Sequence, residues 1–309
     1  MAEEKQSPIG IIVVVAVIAV VAGIFLFKGG GNGDQNAGNQ QQPTNGSDTN
    51  ETTPPPSSQK KANKSDTNQT TPPQDPLKPE KPAEPKEPAF VKEGLVAYYP
   101  FNGNANDESG KGNGGINKGA TPAEDRHGKP NSSLTFDGKD DYLRIPDDPS
   151  LNLKKGLTLA AWIAVDGDKI GNTILAKGDT YSNTIDWHFA AIEGKLFYDW
   201  RPMQQSNRGV YTADNTIPKG QRMHVMATHV SGSQPVLYIN GVKQKVTTDG
   251  DQTSPRHQYK APITIGMNNR PAEQDRVYFA GSIDDVRIYN RALTEEQVKA
   301  LYDWEKPKE

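Results

Sequence analysis

Hydrophobic and polar positions divide the chain into three stretches of different kinds. Residues 9–27 (IGIIVVVAVIAVVAGIFLF) form an uncharged run of 19 residues with no polar side chain on any helical face. As a helix the run covers about 28 Å, roughly one bilayer hydrocarbon core. A cleaved signal peptide is the competing reading, but its apolar part normally holds about 7–15 residues and leads into small residues. Here Phe25, Leu26 and Phe27 occupy that place. The pattern predicts a retained transmembrane anchor over residues 1–28, with the bulk of the chain outside.

Residues 29–89 contain no aromatic side chain and one large aliphatic, Leu77. Such a stretch cannot bury enough surface to offset chain entropy, so a disordered Pro/Thr/Asn/Gln-rich linker is expected. Its end differs from its beginning. Pro79, Pro82, Pro85 and Pro88 recur every third residue with Lys and Glu between them, the period of a polyproline II spacer. A coil of this length spans about 45 Å on average and reaches about 200 Å when stretched.

From residue 90 to 309 the pattern turns to short runs of Val, Ile, Tyr, Phe and Trp between Gly, Asn and Asp turns. The clearest are LVAYYPF (95–101), SLTFDG (133–138), YLRI (142–145), LTLAAWIAV (157–165), IDWHFAAI (185–192), KLFYDW (195–200), MHVMATHV (223–230), VLYING (236–241), ITIGM (263–267) and DVRIY (285–289). Closely spaced strands with no helix alternating between them predict an antiparallel β-sandwich. LTLAAWIAV is apolar on both faces, which fits a central strand covered on two sides. Asn240-Gly241 has the chemistry of a two-residue type I′ turn, and Glu193-Gly194 can serve the same way. Thr294 followed by Gln297 predicts a capping box opening one terminal helix, with Val298, Leu301 and Tyr302 on one face.

Composition narrows the function. The 309 residues carry 35 Lys and Arg against 38 Asp and Glu, with no basic block, so the footprint of a nucleic-acid binder is missing. Zero cysteines exclude disulfides, thiolate metal sites and thiol nucleophiles. No pair of carboxylates with the spacing of a glycosidase strand stands out: Asp284 and Asp285 are adjacent, so a regular strand points them to opposite faces. A non-catalytic role is expected.

The segments GLVAYYPFNGNANDESGKGNGG (94–115), SSLTFDGKDDYLRIPDDPSLNL (132–153), HVMATHVSGSQPVLYINGVK (224–243) and GSIDDVRIYNRALTEEQVKALY (281–302) resemble, in order, the laminin-G-like jelly roll of the concanavalin A-like lectin/glucanase superfamily. That resemblance implies a jelly-roll sandwich whose first and last strands are neighbours. It also implies a structural Ca2+ held by Asp107 and Asp284, with Asn113 as a further ligand; the residues alone equally allow Asp107 to close an Asx turn and Asp284 to be solvated. For function it implies recognition of a glycan or a cell-surface protein, with a structural module and, last, a glycoside hydrolase as the alternatives the same fold carries. Flat aromatic rings and planar polar groups in the middle strands make Tyr181, Trp187, Tyr198 and Arg201 the candidate ligand contacts. Trp187 and His188 must point to opposite faces, as must Trp200 and Arg201, so at most half of this set can line one surface.

Overall fold

The computed structural model describes residues 86–167, 171–179, 184–200, 209–250 and 259–308. The expected anchor, and the linker up to residue 85, lie outside them. Among the described residues no helix is long and apolar enough to cross a membrane.

The strands follow in chain order as β1 (Leu95–Tyr99), β2 (Ile116–Lys118), β3 (Thr121–Ala123), β4 (Ser133–Asp137), β5 (Tyr142–Ile145), β6 (Gly156–Val165), β7 (Gly171–Asp179) and β8 (Thr184–Ile192). They continue as β9 (Lys195–Asp199), β10 (Gly209–Thr212), β11 (Arg222–Val230), β12 (Val236–Ile239), β13 (Val242–Lys243), β14 (Val246–Asp249), β15 (Ile263–Ile265) and β16 (Ala280–Tyr289), and one helix, α1 (Glu295–Glu305), closes the chain. They make two antiparallel sheets. Sheet A runs β13-β12-β11-β6-β16-β4-β3, with β1 also on β16; sheet B runs β14-β10-β9-β8-β7-β15-β5-β2. The expected antiparallel sandwich with a short C-terminal helix is the fold.

Alternation along the strands builds the core. Leu159, Ala161 and Ile163 of β6, Val225 of β11 and Ile283 of β16 face Trp187 and Phe189 of β8, Leu196 and Tyr198 of β9 and Ile263 of β15 between the sheets. Each of the larger of these aliphatic side chains and Phe189 contributes about 1.5–3 kcal/mol by leaving water. Every residue of β6 is buried, as its two apolar faces predict, because α1 covers the side of sheet A away from the core. There Val298 and Leu301 of α1, with Trp304 beside them, pack on Ala160, Met226, Tyr238 and Tyr289. The capping box forms in full: Gln297 N donates to Thr294 Oγ1, and the Gln297 side chain accepts from Thr294 N. Asn240 and Gly241 have φ of 49° and 74°, the two positive values a type I′ turn requires.

One edge of β16 is shared. Residues 280–283 pair with β4 and residues 286–289 with β1, so the first and last strands are neighbours as expected. Between the two partners the register against β6 slips, and Asp285 takes a φ of 46°. This bulge corrects the expectation that Asp284 and Asp285 face opposite ways. The extra residue turns both carboxylates onto one guanidinium, that of Arg126, whose Nη1 lies 2.8 Å from Asp284 Oδ2 and 2.5 Å from Asp285 Oδ2.

Candidate functional site on the outer face of sheet B

Strand parity assigns each aromatic of the middle strands to a face. Trp187, Tyr198 and Trp200 point inward and are fully buried in the core. Trp187 and Tyr198, expected as ligand contacts, are therefore structural, because their strands alternate and the apolar half of each faces the opposing sheet. Tyr198 instead meets His229 of β11, with its hydroxyl 3.1 Å from Nδ1. Tyr181 and Arg201 lie outside the described residues.

The other half of the alternation points away from the core and mixes polar, aromatic and small side chains, of which His188 and Tyr211 are partly exposed and the rest buried. On β8 these positions are Asp186, His188 and Ala190; on β9, Phe197 and Asp199; on β10, Gly209 and Tyr211; on β7 and β15, Ala176 and Thr264. His188 is central: its Nε2 is 3.0 Å from Thr173 Oγ1 and its Nδ1 is 3.6 Å from Asp199 Oδ1. Beside it the rings of Phe197 and Tyr211 stack at 4.5 Å between centroids, and His188 meets Phe197 edge-on at 5.7 Å. Small residues flank the rings. A Cβ on Gly209 would come within 2.6 Å of Phe197, so the glycine is what lets that ring lie flat against β10. An aromatic pair beside two carboxylates and an imidazole, on a face floored by Ala and Gly, offers apolar stacking and directional hydrogen bonds together.

The outer face of sheet A holds charge of a different sort. Five ionic side chains cluster under α1: Arg126, Asp284, Asp285, Arg287 and Glu305. Glu305 pairs with Arg287, accepts from Trp162 Nε1 at 2.9 Å and offers its backbone carbonyl to Arg126 Nε at 2.7 Å. The Tyr98 hydroxyl donates to Asp285 at 2.5 Å, and the Arg287 guanidinium lies 3.9 Å over the Tyr98 ring. Two guanidiniums thus face three carboxyls. Burial, with the neighbouring Asp285 second, pushes Asp284 up to about 8. Burial likewise lifts Glu305 to about 7. Asp285 is also opposed by burial, but Arg287, Arg126 and the Tyr98 hydroxyl hold it below the usual carboxylate range. His224, 3.5 Å from Glu305, is driven down to about 3 by burial and is neutral. The work of the cluster is to clamp α1 and the β1–β4 junction onto sheet A.

The residues expected to hold calcium do not fit an ion. Asp107 Oδ1 accepts from the backbone N–H groups of Tyr98 and Ser109, and Oδ2 from Ser109 Oγ and Asn113 N, all at 2.9 Å. Asn113 is buried and gives its amide to Val96 O and Ser150 Oγ. Asp284 already has a cation, Arg126. The chain's own donors thus take the places a metal would need. Asp137, Asp140 and Asp141 bring carboxylate oxygens within 4.8 Å of one another. Two of the three hydrogen-bond across the β4–β5 turn, Asp137 Oδ1 accepting from Lys139 N and Asp141 Oδ2 from Asp137 N, which is the work of turn residues.

Residues 137–299, just over half of the chain, match a laminin-G family model described as the concanavalin A-like lectin/glucanases superfamily. The chain belongs to this superfamily. No curated protein matches the sequence. Among solved structures, the binding domain of Paraclostridial Mosquitocidal Protein 1 is similar at a TM-score of 0.54 and 18% identity, over 68% of this chain and 52% of that one. The receptor binding domain of a botulinum neurotoxin C/D mosaic serotype gives 0.53 and 15%, over 70% and 52%. A botulinum neurotoxin type C structure, titled for cell entry dependent upon two ganglioside molecules, gives 0.54 and 15%, over 70% and 52%. The chain thus spans about half the length of these proteins, and at such identities the likeness is one of fold.

Sequence reasoning missed Asp186, Phe197, Asp199 and Tyr211 as a group. Part of the signal was present: once Trp187 and Tyr198 are assigned to the core, period-two alternation puts Asp186, Phe197 and Asp199 on the far side, while Tyr211 joins them through the pairing of β10 with β9.

Proposed function

We propose that the folded domain is a non-catalytic carbohydrate-recognition module, displayed outside the cytoplasm by an N-terminal single-pass anchor and the linker. One observation carries the recognition reading: the outer face of sheet B sets the Phe197–Tyr211 stack beside Asp186, His188 and Asp199. Sugars present apolar ring faces flanked by hydroxyls, and aromatic planes next to carboxylates match both. Superfamily membership supports this, as do fold neighbours described as binding domains, one of them tied to gangliosides. The anchor reading rests on the uncharged run at residues 9–27.

The test is a glycan array probed with the full chain in detergent, followed by calorimetry on the best binders. Tyr211→Ala and Asp199→Asn should each weaken binding at least tenfold while leaving the melting temperature within a few degrees. Binding untouched by both substitutions, or no glycan bound at all, would overturn the assignment. Release of new reducing ends would make the protein a hydrolase through Asp186 and Asp199 instead.

A further inference from the structure

Beside β15, the chain makes a braced excursion on its way to sheet A. Met267 bridges Tyr278, Asn268 N donates to Val277 O, and Asn268 Oδ1 accepts from Val277 N at 2.7 Å. Within this frame Arg270 N donates to Asn268 O, and Arg276 Nε reaches back to Arg270 O at 3.1 Å. That last bond fixes the Arg276 side chain along the loop. A cavity of about 420 Å³ opens between this loop and residues 259–261, lined by Tyr259, Lys260, Ala261, Asn269, Arg270, Pro271 and Arg276. Its size is within the usual range for small-molecule sites.

The charge of the lining is one-sided. Two arginines and one lysine line the cavity, and no Asp or Glu does so among the described residues. Arg276 makes no ion pair among them either. Arginine's planar fork suits carboxylate and phosphate oxygens, which it binds through two parallel N–H bonds. An aromatic ring and an amide, Tyr259 and Asn269, stand in the same wall.

Position ties this cavity to the polar face of sheet B. Tyr259 lies within electrostatic reach of Asp186, whose carboxylate, second to burial, pushes the Tyr259 phenol upward. From β10 through β9, β8 and β7 to β15 there are four inter-strand steps, about 19 Å at the usual spacing. An oligosaccharide of several rings spans that width, with one end over Phe197 and Tyr211 and the other at Arg276.

We propose that the cavity formed by Tyr259, Lys260, Asn269, Arg270 and Arg276 is the anion subsite of this face, taking the carboxylate or phosphate of an acidic saccharide. The proposal rests on the carbohydrate reading above and adds the ligand's charge class to it.

The experiment uses the full chain and glycans in matched pairs: oligo-uronates against their methyl esters, sialylated against desialylated forms, and phosphorylated against unphosphorylated forms. Acidic members should bind about tenfold tighter than their neutral partners, and rising salt should shrink the gap because the contact is ionic. Arg276→Gln should close the gap while leaving neutral-glycan affinity unchanged, and Arg276→Lys should keep part of it. The carboxylate and phosphate arms distinguish the two sources of the anion. Equal binding of acidic and neutral partners, or a gap that survives Arg276→Gln with Arg270→Gln, overturns the subsite and leaves the recognition face standing. Tyr211→Ala, by contrast, should weaken acidic and neutral glycans alike, so a failure of the face is separable from a failure of the subsite. Absence of any glycan binding overturns both.

Discussion

Removing the Asp107 carboxylate tests whether the chain itself holds the loop that follows β1. In Asp107→Ala four hydrogen bonds go at once, three from backbone N–H groups of Tyr98, Ser109 and Asn113 and one from the Ser109 hydroxyl. A hydrogen bond to a charged group is worth about 1.5–3 kcal/mol net, and water at this half-exposed loop recovers part of each loss, so the cost should be about 3–5 kcal/mol. Asn113 is drawn in as well, since its N–H is one of the lost donors while its carbonyl accepts from the buried Tyr99 hydroxyl at 2.5 Å. For a domain of roughly 200 residues that is a fall in melting temperature of about 10 °C. Asp107→Asn keeps one acceptor oxygen and should lose about half as much. Scanning calorimetry of wild type and variants, each with millimolar calcium and with chelator, gives the answer. The structure requires calcium and chelator to leave the wild type unchanged. A wild-type transition that rises with calcium, a rise that Asp107→Ala abolishes, would refute the reasoning and return the loop to a metal ion.

Other outcomes follow from single contacts. Glu305, raised to about 7 from 4.5, and Asp284, raised to about 8 from 3.8, each contribute stability that is complete below their ordinary values and lost as pH rises through their folded ones; unfolding followed from pH 5 to 9 should show stability falling by several kcal/mol, and Glu305→Gln should lessen the slope while Asp284 keeps the rest. At the acid end Asp285, held low by Arg287 and Arg126, works in the opposite sense and loses its contribution as pH drops through its depressed value. Thr294→Ala removes the cap of α1 and should cost about 1 kcal/mol by denaturant titration. Gly281 has a φ of 133°, and a Cβ there would lie 2.0 Å from the Ala164 carbonyl oxygen, so Gly281→Ala should prevent β16 from docking on β6 and leave no cooperative unfolding transition. The anchor reading requires the intact N-terminus to stay in the membrane fraction; a mature chain beginning near Lys28, detected by mass spectrometry, would overturn it.

The strands were legible wherever one residue pattern had one physical meaning. β6 reads as apolar on both faces and is buried throughout, since helix and sheet cover it from opposite sides. Asn240-Gly241 and the Thr294–Gln297 box are local devices, and both form as read. The site was less legible because its members are defined by pairings far apart in sequence. Trp187 and Tyr198 drew attention as aromatics, yet side-chain type alone does not say which sheet face is inner; the register of β8 against β7 and β9 does. The Asp284–Asp285 pair shows the same limit from another side. A regular strand separates adjacent side chains, and only the bulge where β16 changes partner from β4 to β1 brings both to Arg126, 158 and 159 positions away.

The two outer faces of the sandwich divide the work, and this argues for where a ligand goes. Sheet A spends its outer face on α1: Trp162, Met226, Arg287 and Tyr289 are all buried beneath or beside the helix, and the five ionic groups there are matched among themselves. A ligand seated beneath the helix would have to displace a capping box, an apolar seam and a buried ion cluster, which leaves this face the cavity of about 640 Å³ beside the helix end, lined by Tyr98, Arg126, Asp285, Arg287 and Trp304. Among the described residues no helix lies over sheet B. Its outer side holds polar and aromatic groups of the kind recognition uses, with small side chains at Ala176, Ala190 and Gly209 between them and His188 and Tyr211 partly exposed. The asymmetry follows from the sequence: strands of sheet A carry Trp162, Met226 and Tyr289 outward against the apolar side of α1, whereas those of sheet B carry Asp186, His188 and Asp199 on their outer side, where the groups are largely buried with only His188 and Tyr211 partly exposed.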